Sequence, residues 1–492
     1  VGYNDSRQVT HRWPLSILRP AALHGLSPFG LQVWNSVRAV DFVSGLPGVD
    51  ARRIGCTGAS GGGTQTWALA LADERVTVAA PVCMLSCHYQ GGCVCENGPL
   101  QRIGGCSSFE MVAALAPRPV FLPSVTQDWT NLNPQYELPK LKAIYRLYGA
   151  EDRVAGVHMD APHNYNKETR EHVYGWFVKW LLNGGKGPLR RVAEPKLAPL
   201  PVEKALIFPF ANEVSEKETR QTLAVMTQRA EAPFARAPRT GAELKAFRRA
   251  WAEPYAETLG VCAAPADVAV RVTWLKSQLA GFSAKGRLMS RREVGDLVAA
   301  LWIVRDDAKA GDPVTVALTG RGKAGLFDGE KPSPMLKRLL AARQRVLAVD
   351  LLGQGDTASS LDRAIGEKDD PLFYAHNMSL LAMRVQDALT ALAAVRQCER
   401  PKALSLAAEG EGARIALLAL PLAGKLAAAS LDFSGVDCGA SGWKDDAYHP
   451  LILKVGGLKT ALALAADLDV RLSGADAELT RWARDVAKAT GR

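Results

Sequence analysis

The chain has 492 residues, 48% of them apolar and 22% charged, with a formal net charge of +10. That is the make-up of a globular protein with chain enough for two or three domains and sizeable cores. No run of about 18 apolar residues calls for a membrane span. Lys and Arg are scattered, and no RNP, zinc-finger or basic-aromatic signature points to nucleic acid.

The chain begins with Val1 and shows no n-region or h-region of a secretory signal, which leaves such a signal absent or already removed. Val1-Gly2-Tyr3-Asn4-Asp5-Ser6 reads as a strand end entering a turn. A helix is expected over 26–46, with Leu31, Val33, Trp34, Val37, Val40 and Val43 on its apolar face, stopped by Gly45 and Pro47.

Next comes the stretch around which the rest is organised. Ile54-Gly55-Cys56-Thr57 reads as a strand, Gly58-Ala59-Ser60-Gly61-Gly62 as a sharp turn, and Thr64 to Ala72 as a helix. The turn fits the G-x-S-x-G nucleophile elbow. There a strained serine projects from the sheet, small neighbours two residues either side let strand and helix cross, and the next N–H, here of Gly61, faces a developing oxyanion. No Lys follows the glycines, which argues against a phosphate-cradling P-loop. The bland alternative is a Gly-rich turn with a spectator serine.

Val76 to Val82 reads as a buried strand. Of nine cysteines, six fall early: Cys56, Cys83, Cys87, Cys93, Cys95 and Cys106. No Cys-x-x-Cys pair occurs, so disulfides or buried thiols fit better than zinc. A short helix is expected at 109–115, a strand at 118–123, an amphipathic helix at 136–148, a strand at 154–159 and a helix at 170–182. Strands alternating with helices imply a mostly parallel sheet with helices on both faces.

In the α/β-hydrolase order the triad runs Ser, acid, His. Asp128 lies just past one strand and His163 just past the next, which makes them the candidate acid and base to Ser60. Glu137, inside a helix, is the other acid. His158, within a strand, and His172, on the last helix, are the other bases. Asp160 is placed to orient the loop of His163.

Residues 186–204, with Pro188, Pro195, Pro199 and Pro201, read as a semi-extended linker. Residues 205–264 read as a helical connector with a capping box, Ser215-x-x-Glu218. From 265 to 492 the pattern of the first part recurs: Val346 to Thr357 matches the opening of the chain, the helix 380–395 matches the earlier one, and Ala403 to Gly412 stands where the elbow should be. The interval from Asp356 to Gly410 equals that from Asp5 to Ser60 to within one residue, and Lys454-Val455-Gly456-Gly457 echoes Arg102-Ile103-Gly104-Gly105. Gly410 replaces the serine and no histidine follows His449, so this half reads as a catalytically dead copy. Its strand Val314 to Leu318 has no counterpart before Val1. The expectation is therefore tandem α/β-hydrolase domains: a catalytic domain over 1–185 lacking its first strands in this chain, and a degenerate one over 265–492.

Gly58 to Thr66, Gly91-Gly92-Cys93-Val94-Cys95-Glu96-Asn97, Asp128-Trp129-Thr130 and Tyr148 to Asp152 resemble bacterial acetylxylan-esterase-like α/β-hydrolases, relatives of dienelactone hydrolases and prolyl-oligopeptidase-type domains. The resemblance covers 1–182 well and the second half in outline. It implies Ser60 as nucleophile, Asp128 as acid, His163 as base, and a periplasmic or secreted carbohydrate esterase. Gly61 is the expected oxyanion donor and Glu96 a substrate-side residue, on a loop that a disulfide would equally explain. No metal or cofactor is called for. The expected partner is an acylated carbohydrate or other small ester, with neither nucleic acid nor membrane. A prolyl-oligopeptidase-type peptidase and a non-catalytic binding or scaffold protein are the alternatives.

Overall fold

Strand and helix alternate along the first half as the hydrophobic pattern requires. In this computed structural model residues 13–88, 91–92, 94–101, 103–196, 198, 200–201, 204, 216–263, 265–279, 281–292, 294–360 and 372–491 are described. The expectations on Val1 to Ser6 and on the Ser215 capping box fall outside them. The chain divides into two compact units. One comprises Val1–Ala22, Leu26–Ala224 and Pro371–Asn377; the other comprises Leu23–Gly25, Val225–Asp370 and Met378–Arg492.

In the first unit helix α1 (Pro28–Ser44) begins on a Ser27 cap whose side chain accepts from the Gly30 N–H. Then follow β1 (Ile54–Ala59), α2 (Gly61–Ala72), β2 (Val76–Val82), β3 (Val120–Gln127), α3 (Leu138–Leu147), β4 (Val154–Pro162) and α4 (Lys167–Phe177). The sheet order is β1-β2-β3-β4, and every pairing is parallel. Successive residues of β3 go to opposite faces. Val120 and Leu122 join a core with Trp67, Met84, Leu141 and Tyr145, while Phe121 and Val125 join one with Val82, Val173 and Trp176. Burial on both faces is what makes these strands continuously apolar.

The proline-bearing stretch after α4 has no regular structure from Lys186 to Lys196, yet it is not loose. Glu194 takes two bonds from Arg170 at 2.6 and 2.8 Å and one from the Tyr174 hydroxyl at 2.8 Å, and the Val192 N–H donates to Glu171 O at 3.1 Å.

The second unit holds α5 (Gly241–Leu259), β5 (Val268–Leu279), β6 (Phe282–Arg291), β7 (Val298–Arg305), β8 (Val314–Leu318), β9 (Arg345–Asp350), α6 (Leu380–Glu399), β10 (Leu404–Glu409), α7 (Glu411–Ala419), β11 (Ala428–Asp432), β12 (Asp469–Ser473) and α8 (Ala477–Ala489). Its eight-stranded sheet runs β12-β11-β10-β8-β9-β7-β6-β5. The pairs among β5, β6, β7 and β9 are antiparallel and the remainder parallel. The segment Phe373–Glu399 is apolar and long enough to cross a membrane, but 89% of its most apolar window is buried inside the protein. Burial on nearly every side of α6 accounts for that composition.

The turn from β10 to α7 copies the turn from β1 to α2. Gly410 has φ 60° and ψ −139°, against φ 59° and ψ −123° at Ser60. The Gly410 N–H donates to Asp432 O at 2.9 Å, as the Ser60 N–H donates to Val82 O at 3.1 Å.

Candidate active site

Ser60 sits between the end of β1 and the start of α2 with a positive φ, a conformation that costs an L-residue of order 1–3 kcal/mol and persists only where its surroundings impose it. Those surroundings are identifiable. A Cβ on Gly58 would lie 2.6 Å from the backbone carbon and oxygen of Gly62, so strand and helix touch there. A Cβ on Gly63 would lie 2.6 Å from the Met84 Cβ and 2.9 Å from Val82 O. Gly62 itself has open space where its Cβ would be. The spacing rule asks for small residues two before and two after the serine. Here the second steric demand falls on Gly63, which the motif does not mention.

Asp128 follows β3 immediately. Its Oδ1 accepts from the Thr130 N–H at 2.6 Å and the Thr130 hydroxyl at 2.5 Å, and its Oδ2 lies 2.8 Å from His163 Nδ1. The Asp128 side chain is 2% exposed and that of His163 33%, so the carboxylate is sealed while the imidazole faces solvent. The Trp129 ring lies 4.7 Å from the imidazole, centroid to centroid. With Nδ1–H donating to the carboxylate, Nε2 is left to accept a proton.

His163 follows β4, three strands away from Ser60 in the sheet, and the segment behind it runs back. Asn164 O accepts from the Cys83 thiol, Sγ to O 3.6 Å, at the end of β2. The Tyr165 hydroxyl is 2.7 Å from Thr57 Oγ1 on β1, which also donates to Ala80 O at 2.8 Å. Thr57 stands three residues before Ser60 on the same strand. Sequence reasoning did not single out Tyr165 or Thr57; a pair of hydroxyls 108 positions apart leaves no local signal. No hydrogen bond joins Ser60 Oγ to His163 among the described residues; such contacts are often long without substrate and tighten when it binds.

The rivals are otherwise engaged. Glu137 is fully buried, accepting from the Cys87 N–H at 3.1 Å and from Asn133 Nδ2 at 3.4 Å. His158 Nδ1 lies 2.8 Å from Ser124 Oγ. His172 is on α4, its pKa pushed down by burial and by Arg191. Asp160 Oδ1 accepts from Thr126 Oγ1 at 2.7 Å and so ties the end of β4 to that of β3.

Serine, aspartate and histidine thus follow β1, β3 and β4 of one parallel sheet, in that chain order, with the serine in the elbow conformation. The chain has the α/β-hydrolase fold.

The Gly61 N–H opens α2 beside the serine, where the helix's positive end adds to it. The half-buried Glu96 carboxylate lies against Gly61, its Oε1 3.0 Å from where a Gly61 Cβ would be. Its loop is held by Asn97 Nδ2 on Gly91 O at 2.9 Å and Gln65 Nε2 on Cys95 O at 3.4 Å. Cys95 is disulfide-bonded, in keeping with the disulfide reading of the cysteines. Cys56 and Cys83 are thiols, Cys83 pushed up to about 12 by burial and by the Asp128 charge.

No family model matches the chain. It is 26% identical over 194 residues to "Putative hydrolase YtaP" of Bacillus subtilis (strain 168), a match over 37% of this chain and 62% of that protein. Among solved structures it is similar to the methylesterase BT1017, at 36% identity, TM-score 0.30, over 34% of this chain and 39% of that one. It is also similar to acetyl xylan esterase 1 from Thermoanaerobacterium sp. JW/SL YS485, at 14% identity, TM-score 0.33, over 53% and 88%. Overlays at these scores carry no argument about the site, which rests on its own geometry.

Proposed function

We propose that the chain is a serine carboxylester hydrolase acting through Ser60, His163 and Asp128 on an acylated carbohydrate of the acetylxylan type. One arrangement supports this most. A serine held in the elbow conformation shares its sheet with a histidine that is bonded to a buried aspartate and lies on a segment tied back to the serine's own strand. His163 Nε2 takes the Ser60 hydroxyl proton as Oγ adds to the ester carbonyl carbon. The carbonyl oxygen gains negative charge, which the Gly61 N–H and the start of α2 stabilise. The tetrahedral adduct collapses, the alcohol leaves with the proton from His163, and water then releases the acid by the same steps. Asp128 holds Nδ1 protonated throughout. Glu96 accepts a hydrogen bond from a substrate hydroxyl.

The substrate class is the one for which the similar acetyl xylan esterase 1 is named. The proposal divides the chain into a catalytic domain over 1–185, a linker over 186–204, a connector over 205–264 and a nucleophile-free copy over 265–492. Gly410 in the elbow conformation supports the last of these. Hydrolysis of p-nitrophenyl acetate by wild type and by Ser60→Ala is the test, and a loss of at least about 10³-fold is expected. Equal rates would remove the nucleophile and with it the reading. Acetate release from acetylated xylan, set against cleavage of peptide amides, then decides between esterase and peptidase.

A further inference from the structure

We propose that Cys83, Asp128 and His163 form a three-ligand site for a thiophilic divalent cation, Zn²⁺ above all, whose binding switches the hydrolase off. The three side chains come from the ends of β2, β3 and β4, and one ligand atom from each lies within 4.8 Å of the other two. Thiolate, imidazole and carboxylate are the donor set that zinc takes. Spacing along the chain excludes a zinc motif because these ligands are not local; neighbouring strand ends bring them together.

The geometry is close to what the metal requires. Zn–S near 2.3 Å and Zn–N and Zn–O near 2.0 Å put tetrahedral donors about 3.3–3.6 Å apart. His163 Nδ1 and Asp128 Oδ2, at 2.8 Å, need open by only about half an ångström. Cys83 and the Asp128 carboxylate are buried, so the cation enters past His163, the exposed member. Binding releases one proton to water, that of the Cys83 thiol, while the proton between Nδ1 and Asp128 passes by way of water to Nε2, so that a neutral imidazole ligates through Nδ1 and Nε2 no longer has a lone pair for the Ser60 proton. The imidazole is then tied through Nδ1 to the metal and has lost its carboxylate partner, so it cannot turn over as a base. Three protein ligands leave the fourth position for water.

The inhibitory half of the proposal rests on the hydrolase reading, and the experiment separates the two. The full chain is titrated with Co²⁺ as a spectroscopic probe and with Zn²⁺ against a chelator of known affinity, while p-nitrophenyl acetate hydrolysis is followed in parallel. Expected are one equivalent of Co²⁺ giving a thiolate-to-metal charge-transfer band, and Zn²⁺ that lowers the rate at least tenfold and is reversed by EDTA. Cys83→Ser and Cys83→Ala should each lose the band and weaken Zn²⁺ binding at least tenfold; His163→Gln should weaken it similarly. X-ray absorption of the zinc-loaded wild type should give one sulfur ligand, a readout that needs no variant to fold. A band without any hydrolysis keeps the metal site and overturns the hydrolase reading. Hydrolysis untouched by Zn²⁺, or Zn²⁺ bound as tightly after loss of Cys83, overturns the metal site and leaves the hydrolase standing.

Discussion

The two glycines of the elbow motif should respond in opposite ways to alanine. In Gly58→Ala the new methyl would sit 2.6 Å from the Gly62 carbon and oxygen and 2.8 Å from its Cα, all backbone atoms that no rotamer change can move. Reaching ordinary contact requires the first turn of α2 to recede by about 1 Å, and overpacking of this kind costs about 1–3 kcal/mol. The same turn carries the Ser60 hydroxyl and the Gly61 N–H, and misplacing reacting groups by about 1 Å costs about 10²-fold in rate. Gly62→Ala puts its methyl where nothing lies within 4 Å, on an exposed helical position. It should gain about 0.5–1 kcal/mol from reduced chain entropy and keep its activity. Thermal unfolding and initial rates on p-nitrophenyl acetate for both variants make the comparison. If Gly58→Ala kept wild-type melting and rate, or if the two variants fell together, the contact between strand and helix at Gly62 would not be what imposes the elbow.

Asp128→Asn should lower kcat by about 10⁴-fold, the scale seen where a triad aspartate loses control of the histidine tautomer, with KM little changed. Tyr165→Phe removes the bond to Thr57 that returns the His163 segment, and a lost hydrogen bond of about 1 kcal/mol should lower kcat about fivefold and the unfolding temperature by a few degrees at most. Adding Gly410→Ser to Ser60→Ala should restore no hydrolysis; recovered activity would refute the reading of the second half as inert. His449 is fully buried between Ser379 Oγ and Thr258 O, each at 2.8 Å, and burial lowers its pKa to about 4. The unfolded chain, with a pKa near 6.5, binds the proton more readily. This contribution is therefore complete above pH 6.5 and lost as pH falls towards 4, about 3 kcal/mol in all. Denaturant melts of the second unit's signal at pH 7 and pH 4.5 check it, and His449→Gln should flatten the difference.

What the sequence revealed and what it hid divide along physical lines. The elbow was legible because its chemistry is local: strand, glycine-flanked serine and helix follow within about twenty residues. Asp128 and His163 could be placed at the sheet's edge because a polar residue directly after a buried strand must lie there, whereas the 2.8 Å bond between them could not be read from the chain. Gly63 was missed because its constraint comes from Met84 on another strand end, and the motif records only spacing. Tyr165, Thr57 and the approach of Cys83 to the acid–base pair depend on how the segment after β4 folds back, which no periodicity encodes. The stretch after α4 looked like a free linker because prolines and charges suggest one; the ion pair of Glu194 with Arg170 joins partners too far apart in the chain for local pattern to pair them.

Ser60 and Gly410 share a backbone conformation, yet only one of them has a side chain to crowd it. A protein keeps such a distorted serine when the hydroxyl has work to perform, and glycine removes the distortion at no cost in shape. Ser60→Gly should therefore yield a sturdier and inactive molecule, with a gain on the order of 1 kcal/mol. Tension kept at one bend and absent from its counterpart would then be measurable, within a single polypeptide, as what reactivity demands of the fold.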